Sequence, residues 1–360
     1  MKTLACERCG VRVFFENVAC ESCGARLGFV PDELAMGAFE AGDDGWPRLA
    51  AGKPAMQPCA NYLSFQVCNW MVPAGSLQPL CVCCRTTEIV PALSKPENLT
   101  YWLAIEQAKR RLFYSLLSMQ LPIVGRQADA QAGVSFQFLE ELAPGHKVLT
   151  GHDSGVITLN IAEADDARRE KARSRLQEPY RTLLGHFRHE IGHYYWDRLI
   201  ANSNHLEEFR ALFGDEQADY AAALEAHYAN PRADWAEQFV SAYASSHPWE
   251  DWAECWAHYM HLQDGLETAA AWGIQLNNAM PGAPAVKPAP LALSNGSIEV
   301  SIVADWLPVA QFVNAMARSL GIHDGYPFLI SAPVIRKLDF IHAVVVSARE
   351  AGQPQAAVQS

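Results

Sequence analysis

The sequence predicts an α+β fold: a mainly helical domain with a small mixed sheet, preceded by one or two small cysteine-built modules. Three observations predict it. Nine of the ten cysteines fall before residue 85, several as Cys-x-x-Cys pairs. Two short runs rich in strand-forming residues, VSFQFLEE and GVITLNI, lie between residues 134 and 161. The segments around them carry apolar residues at helical spacing. With half of its 360 residues apolar, the chain can bury at least one sizeable core.

The net charge of -12 argues against broad binding to nucleic acid or anionic membrane, since both reward clustered Lys and Arg. No run approaches the ~20 apolar residues that span a bilayer, and MKTLACERCG lacks the apolar stretch of a secretory signal. The expected location is therefore the cytoplasm, with no membrane partner. In that reducing compartment, paired cysteines hold metal rather than one another.

Residues 1–30 predict a zinc ribbon. Cys6 and Cys9, then Cys20 and Cys23, form two knuckles that together complete the four-thiolate shell Zn2+ prefers. Gly10 and Gly24, directly after the pairs, suit the tight turns. A second Cys-rich segment spans residues 55–92. Cys81 and Cys84 form its knuckle, Cys59 and Cys68 supply two more thiolates, and Cys83 is a spare or an alternative ligand. Residues 1–92 hold seven Lys or Arg against nine Asp or Glu, so no basic stripe for phosphates is present. Protein contact or structural capping is the expected use, because the metal replaces a core such short modules cannot build.

Residues 96–275 form the expected main domain. Trp102, Ile105, Leu112, Leu116 and Leu117 predict its entry helix. After the strand run at 134–141, Pro144-Gly145 marks a turn, succeeded by KVLTG and GVITLNI. The charged stretch 163–171 reads as a solvated turn or helix, and Pro179 is expected to open the next helix.

That helix, residues 180–200, carries the chemistry in a His-Glu-x-x-His motif. Leu183, Phe187 and Ile191 give it a buried stripe, while His189 and His193, one turn apart, project from one face and can grip one Zn2+. Glu190 is placed to take a proton from a metal-activated water and pass it to a leaving amine. Gly192 leaves room beside the metal. The pattern predicts a zinc-dependent hydrolase acting on a peptide or protein, with one catalytic and one or two structural zinc ions.

A catalytic zinc needs a third protein ligand and an open position. A third histidine in the extended motif is excluded, because the positions that would complete it hold Trp196 and Leu199. The segment from His247 to His258 offers a carboxylate, with Pro248 in a first helical turn and an apolar stripe at Trp249, Ala253, Trp256 and Met260. Glu250 flanks that stripe, Glu254 lies further round, and Asp251 points away. Glu250 is the candidate third ligand and Glu254 the acceptor for the second N–H of a ligand histidine, with the two roles interchangeable.

Glu250-x-x-Ala253-Glu254 downstream of His-Glu-x-x-His resembles the gluzincins, especially the anthrax lethal factor type, where a Glu-x-x-Ala helix supplies the third ligand. That resemblance implies an oxyanion donor seven residues before the glutamate, where Tyr243 stands. Packing at a helix end is the other reading of Tyr243. The blocks CANY, CNW, FRHEIGHYYWDRL, FGDEQADY and SAYASSHPWEDWAE, in order behind a Cys-rich ribbon, resemble a bacterial family of predicted zinc-binding metallopeptidases with an N-terminal zinc ribbon. This implies a metallopeptidase-like fold over most of the chain.

Residues 276–298 read as a linker or loop, and 299–350 as helices folding back on the catalytic domain, over the cleft. GVITLNI is the strand expected to pair with an extended peptide substrate. The competing class is a catalytically inactive, zinc-stabilised protein-protein interaction module. There a fourth ligand such as His261 would close the histidine site, and the ribbon would meet a protein partner.

Overall fold

The computed structural model describes residues 1–43, 45–141, 148–176, 178–277 and 285–352. The expected turn at Pro144-Gly145 and part of the 276–298 loop lie outside these residues. The fold is mainly helical with small sheets.

The N-terminal region is built from three hairpins. β1 (Leu4–Ala5) pairs with β2 (Arg12–Val13), β3 (Arg26–Val30) with β4 (Ala35–Phe39), and β5 (Met56–Pro58) with β6 (Met71–Pro73) around the short helix α1 (Ala60–Ser64), all antiparallel. Gly10 and Gly24 adopt φ of 73° and 71° and return their N–H groups to Cys6 and Cys20 carbonyls at 2.8 Å, which brings each pair of sulfurs to one side. Phe15, Phe29 and Trp70 pack edge-on and tilted at 4.8–6.2 Å, and Tyr114 of the long helix α2 (Pro96–Ser118) joins them. The cysteine modules therefore share one hydrophobic core with the helical domain.

The main sheet runs in the order β7 (Thr87–Ile89), β8 (Ser135–Leu139), β10 (Val156–Asn160), β9 (Gly151–Asp153), with parallel pairs β7–β8 and β8–β10 and the antiparallel pair β10–β9. It is a small mixed sheet. β10, within GVITLNI, is an interior strand with neighbours on both sides, so it is not free to receive a peptide; among the described residues, the outer strand beside the candidate site is β9.

Helix α2 opens on its proline and buries Trp102, Ile105, Leu112, Phe113 and Leu116. α3 (Asp166–Leu176) is the charged segment. Helix α4 (Leu183–Leu199) does not open at Pro179; the Thr182 side chain caps it, accepting from Gly185 N at 2.9 Å. α5 (Leu206–Phe213) and α6 (Tyr220–Ala229) lead to α7 (Pro248–Ala271), which has Pro248 in its first turn as expected. α4 and α7 pack closely along each other and form the centre of the domain.

The C-terminal part is α8 (Glu299–Ser301), a π-turn at Ile302–Trp306, α9 (Leu307–Ser319) and α10 (Ala332–Gly352). Glu299–Ser319 is, at 21 residues, long and apolar enough by composition to cross a membrane, an exception to the expectation that no run approaches that length. Its Ile302, Trp306, Val309 and Ala310 are buried in the core. α10 packs against α7. Asp251, expected to point away, is fully buried, with Lys337 Nζ of α10 at 2.5 Å, while Glu250 turns toward α4.

Candidate metal centre

Three groups of ligand-bearing side chains converge. In the first, Cys6, Cys9, Cys20 and Cys23 place all four sulfurs within 4.8 Å of one another, with Cys6–Cys23 at 3.7 Å and Cys9–Cys20 at 3.6 Å. In the second, Cys59, Cys68, Cys81 and Cys84 do the same, with Cys68–Cys81 at 3.9 Å. None of the ten cysteines is in a disulfide. Four thiolates at Zn–S bonds of about 2.3 Å sit roughly 3.8 Å apart in a tetrahedral shell, so both sets fit zinc.

The second set is wholly buried, and burial pushes the Cys68 and Cys81 thiols well above their ordinary range. A cation removes that cost. Cys83 is also buried but lies outside the group of four. Near the cluster stand Lys109 and Arg110 of α2, both buried, with Lys109 Nζ 3.4 Å from the buried Glu106 carboxylate. Lys109 is thus paired with Glu106, and Arg110 is the cation left to offset part of the surplus negative charge of a four-thiolate zinc centre.

The third group lies between α4 and α7. His189 Nε2 is 3.2 Å from His193 Nε2 and 3.0 Å from Glu250 Oε2, and His193 Nε2 is 3.5 Å from the same oxygen. The other ring nitrogen, His189 Nδ1, meets Glu254 Oε1 at 2.8 Å, so its proton faces Glu254 and the Nε2 lone pair faces the group. Ligands on a tetrahedral zinc at bonds of about 2.0–2.1 Å lie roughly 3.3 Å apart. Two imidazole lone pairs and a carboxylate oxygen at these separations fit the ion, and Glu250 Oε2, though buried, accepts no hydrogen bond.

Glu190 is buried beside the two histidines, and burial pushes its carboxyl up to about 7. Without metal, burial works against protonation of His189, but Glu250 and Glu254 outweigh it and hold this imidazole well above its usual value; a bound cation would displace the Nε2 proton and free the lone pair. Glu250 is driven well below the carboxylate range, its burial overcome by the two histidines. Tyr243 begins a short turn, with its ring 6.0 Å from His189; burial and then the charge of Glu250 keep its phenol protonated far above the ordinary range.

The structure thus brings His189, Glu190, His193, Tyr243, Glu250 and Glu254 together. It does not bring His261, whose Nδ1 lies 3.0 Å from Arg188 Nη1. Gly192 faces α7 rather than the ligand group: a Cβ there would lie 3.1 Å from Ala253 Cα.

Four residues escape sequence reasoning. Tyr220 donates to Glu250 Oε1 at 2.6 Å, and Ser241 Oγ donates to Glu254 Oε2 at 2.7 Å. His193 packs on Trp249, at 3.9 Å between ring centroids, and on His152 of β9, at 6.2 Å. In the sequence Trp249 reads only as part of an apolar stripe. The signal for Tyr220 is its place directly after Asp219, which caps α6; nothing in the spacing points to Ser241 or His152.

The model of a family described as "Putative zinc-binding metallo-peptidase" matches residues 98–344, and that of a zinc-ribbon domain matches residues 3–95. Uncharacterized proteins of Mycobacterium bovis and of two strains of Mycobacterium tuberculosis are each 44% identical over 347 residues, covering 96% of this chain and 95% of their own. No solved structure matches the chain.

Proposed function

The chain belongs to the family so described, and from that premise we propose that it hydrolyses peptide bonds at the α4–α7 centre. The observation that carries the proposal is the meeting of His189 Nε2, His193 Nε2 and Glu250 Oε2 within 3.0–3.5 Å, with a buried carboxyl, Glu190, alongside.

Zinc bound by those three residues would polarise the scissile carbonyl and acidify a water. Glu190 takes a proton from the attacking water and returns it to the departing amine. Tyr243 remains a phenol and donates to the oxyanion, a role worth about 3 kcal/mol in comparable donors. Glu254 orients His189 through its Nδ1 proton, and Ser241 fixes Glu254. An extended peptide adds to the free edge of β9, beside His193. The two four-cysteine centres hold structural zinc.

The test is zinc content of purified wild type beside His189→Ala, Glu250→Ala and Glu190→Gln. One zinc per chain should be lost from the first two and retained in Glu190→Gln. In a peptide-library digest, wild type should cleave and Glu190→Gln should fall at least ~10²-fold. Zinc content unchanged by His189→Ala would remove the enzyme and leave a thiolate-zinc module.

A further inference from the structure

The two oxygens of Glu250 have different neighbours. Oε2 faces both imidazoles and accepts no hydrogen bond, whereas Oε1 accepts the Tyr220 hydroxyl at 2.6 Å. The donor arrives from outside the core. Tyr220 is the first residue of α6, a helix without one buried residue, and is itself 38% exposed; its ring meets His247 and Trp249 edge-on at 5.2 and 6.1 Å.

Its register is nevertheless fixed at the base. His247 Nε2 donates to the Ala218 carbonyl at 3.0 Å, and His247 Nδ1 accepts from Trp249 N at 3.1 Å as the cap of α7. Asp219 caps α6 through Ala222 N at 3.0 Å, and Arg210 grips Glu216 at 2.6 Å just upstream. One histidine thus sets the position of both Tyr220, two residues after Ala218, and Glu250, three residues after itself.

We propose that Tyr220 is a positioning residue that limits Glu250 to a single ligating oxygen, and that α6 carries it as a detachable latch. By holding Oε1, the phenol keeps that oxygen off the ion and leaves a coordination position for water or a substrate carbonyl, as a catalytic zinc requires. With α6 lifted, Oε1 is released and can fill that position, closing the centre without any loss of metal. This rests on the His189–His193–Glu250 zinc site proposed above.

The probe is acetohydroxamate, a small chelator that needs an open position on zinc, titrated calorimetrically into the zinc-loaded full chain. Tyr220→Phe keeps the ring and removes only the donor. It should retain its zinc and bind acetohydroxamate at least tenfold more weakly than wild type. Equal affinity with zinc retained overturns the proposal. So does loss of zinc from Tyr220→Phe, because a freed second oxygen should hold the ion at least as tightly. His189→Ala is the separate control. If zinc content and hydroxamate binding survive that substitution, the site itself is not at these residues, and the reading beneath the proposal falls with it.

Discussion

Gly192 and Ala253 meet almost backbone to backbone: a Cβ added to the glycine would lie 3.1 Å from the Cα of Ala253 and 3.1 Å from the Cβ of Trp256. The Trp252 indole N–H closes the same contact, donating to the Gly192 carbonyl at 2.8 Å. The crossing of α4 and α7 therefore sets how far the histidines stand from Glu250. Gly192→Ala should push the helices apart by a few tenths of an ångström, costing about 1–3 kcal/mol as overpacking does. Urea unfolding and competition for zinc with a chromophoric chelator should register both effects; no change in either would place the control of spacing elsewhere.

Glu254→Ala should weaken zinc binding at the histidine site by about 10–100-fold, because His189 loses the acceptor that fixes its tautomer. Ser241→Ala should give a smaller loss in the same direction, since Glu254 then keeps the imidazole but not its own anchor. Chelator competition on each variant tests the order, and a larger effect from Ser241→Ala would contradict it.

The two four-cysteine centres should surrender zinc at different rates. Cys9 is exposed and Cys23 partly so, whereas Cys59, Cys68, Cys81 and Cys84 are all buried. Chelation should therefore be biphasic, with the first phase leaving the fold intact. The second phase should unfold the region, because emptying that centre leaves four buried thiols without their ion and takes the facing negative charge from buried Arg110. Circular dichroism recorded during chelation would show the loss of structure in the second phase alone.

Acid should destabilise the protein through His258, which is buried, and His186, which is partly buried. Burial holds both His186 and His258 near a pKa of about 4, against 6.5 unfolded. Between those values the unfolded chain binds more protons than the folded one, so this stability is present above about 6.5 and is lost as pH falls toward 4. Each contributes a slope of up to about 1.4 kcal/mol per pH unit. Chemical denaturation between pH 7 and pH 4.5 should show the decline, and His258→Gln should flatten it.

Much of the site is readable because helices convert spacing into geometry. His189 and His193 share a face at four residues apart, and so do Glu250 and Glu254, which is why two short motifs are enough to predict one meeting point. Contacts made by turns and loops give no such periodicity. Tyr220 reaches Glu250 only because His247 pins a loop 29 residues upstream, and Ser241 meets Glu254 through a turn before α7. Gly192 misleads for a similar reason: smallness is visible in a sequence, whereas the object it accommodates is not. The place of β10 within the sheet is equally hidden, because strand composition does not tell an inner strand from an edge.

The strand after the last zinc knuckle has a consequence for dissecting the protein. β7 begins three residues after Cys84 and pairs in parallel with β8, giving the main sheet one of its outer strands. Cutting the chain near residue 95 to isolate the helical domain would strip that strand away and leave β8 with open N–H and C=O groups along a flank rich in aromatics. Such a fragment should stick to itself through strand pairing. Expression trials would then report insolubility that stems from a severed sheet rather than from any failure of the metal site, so the chemistry should be judged on a chain that keeps β7.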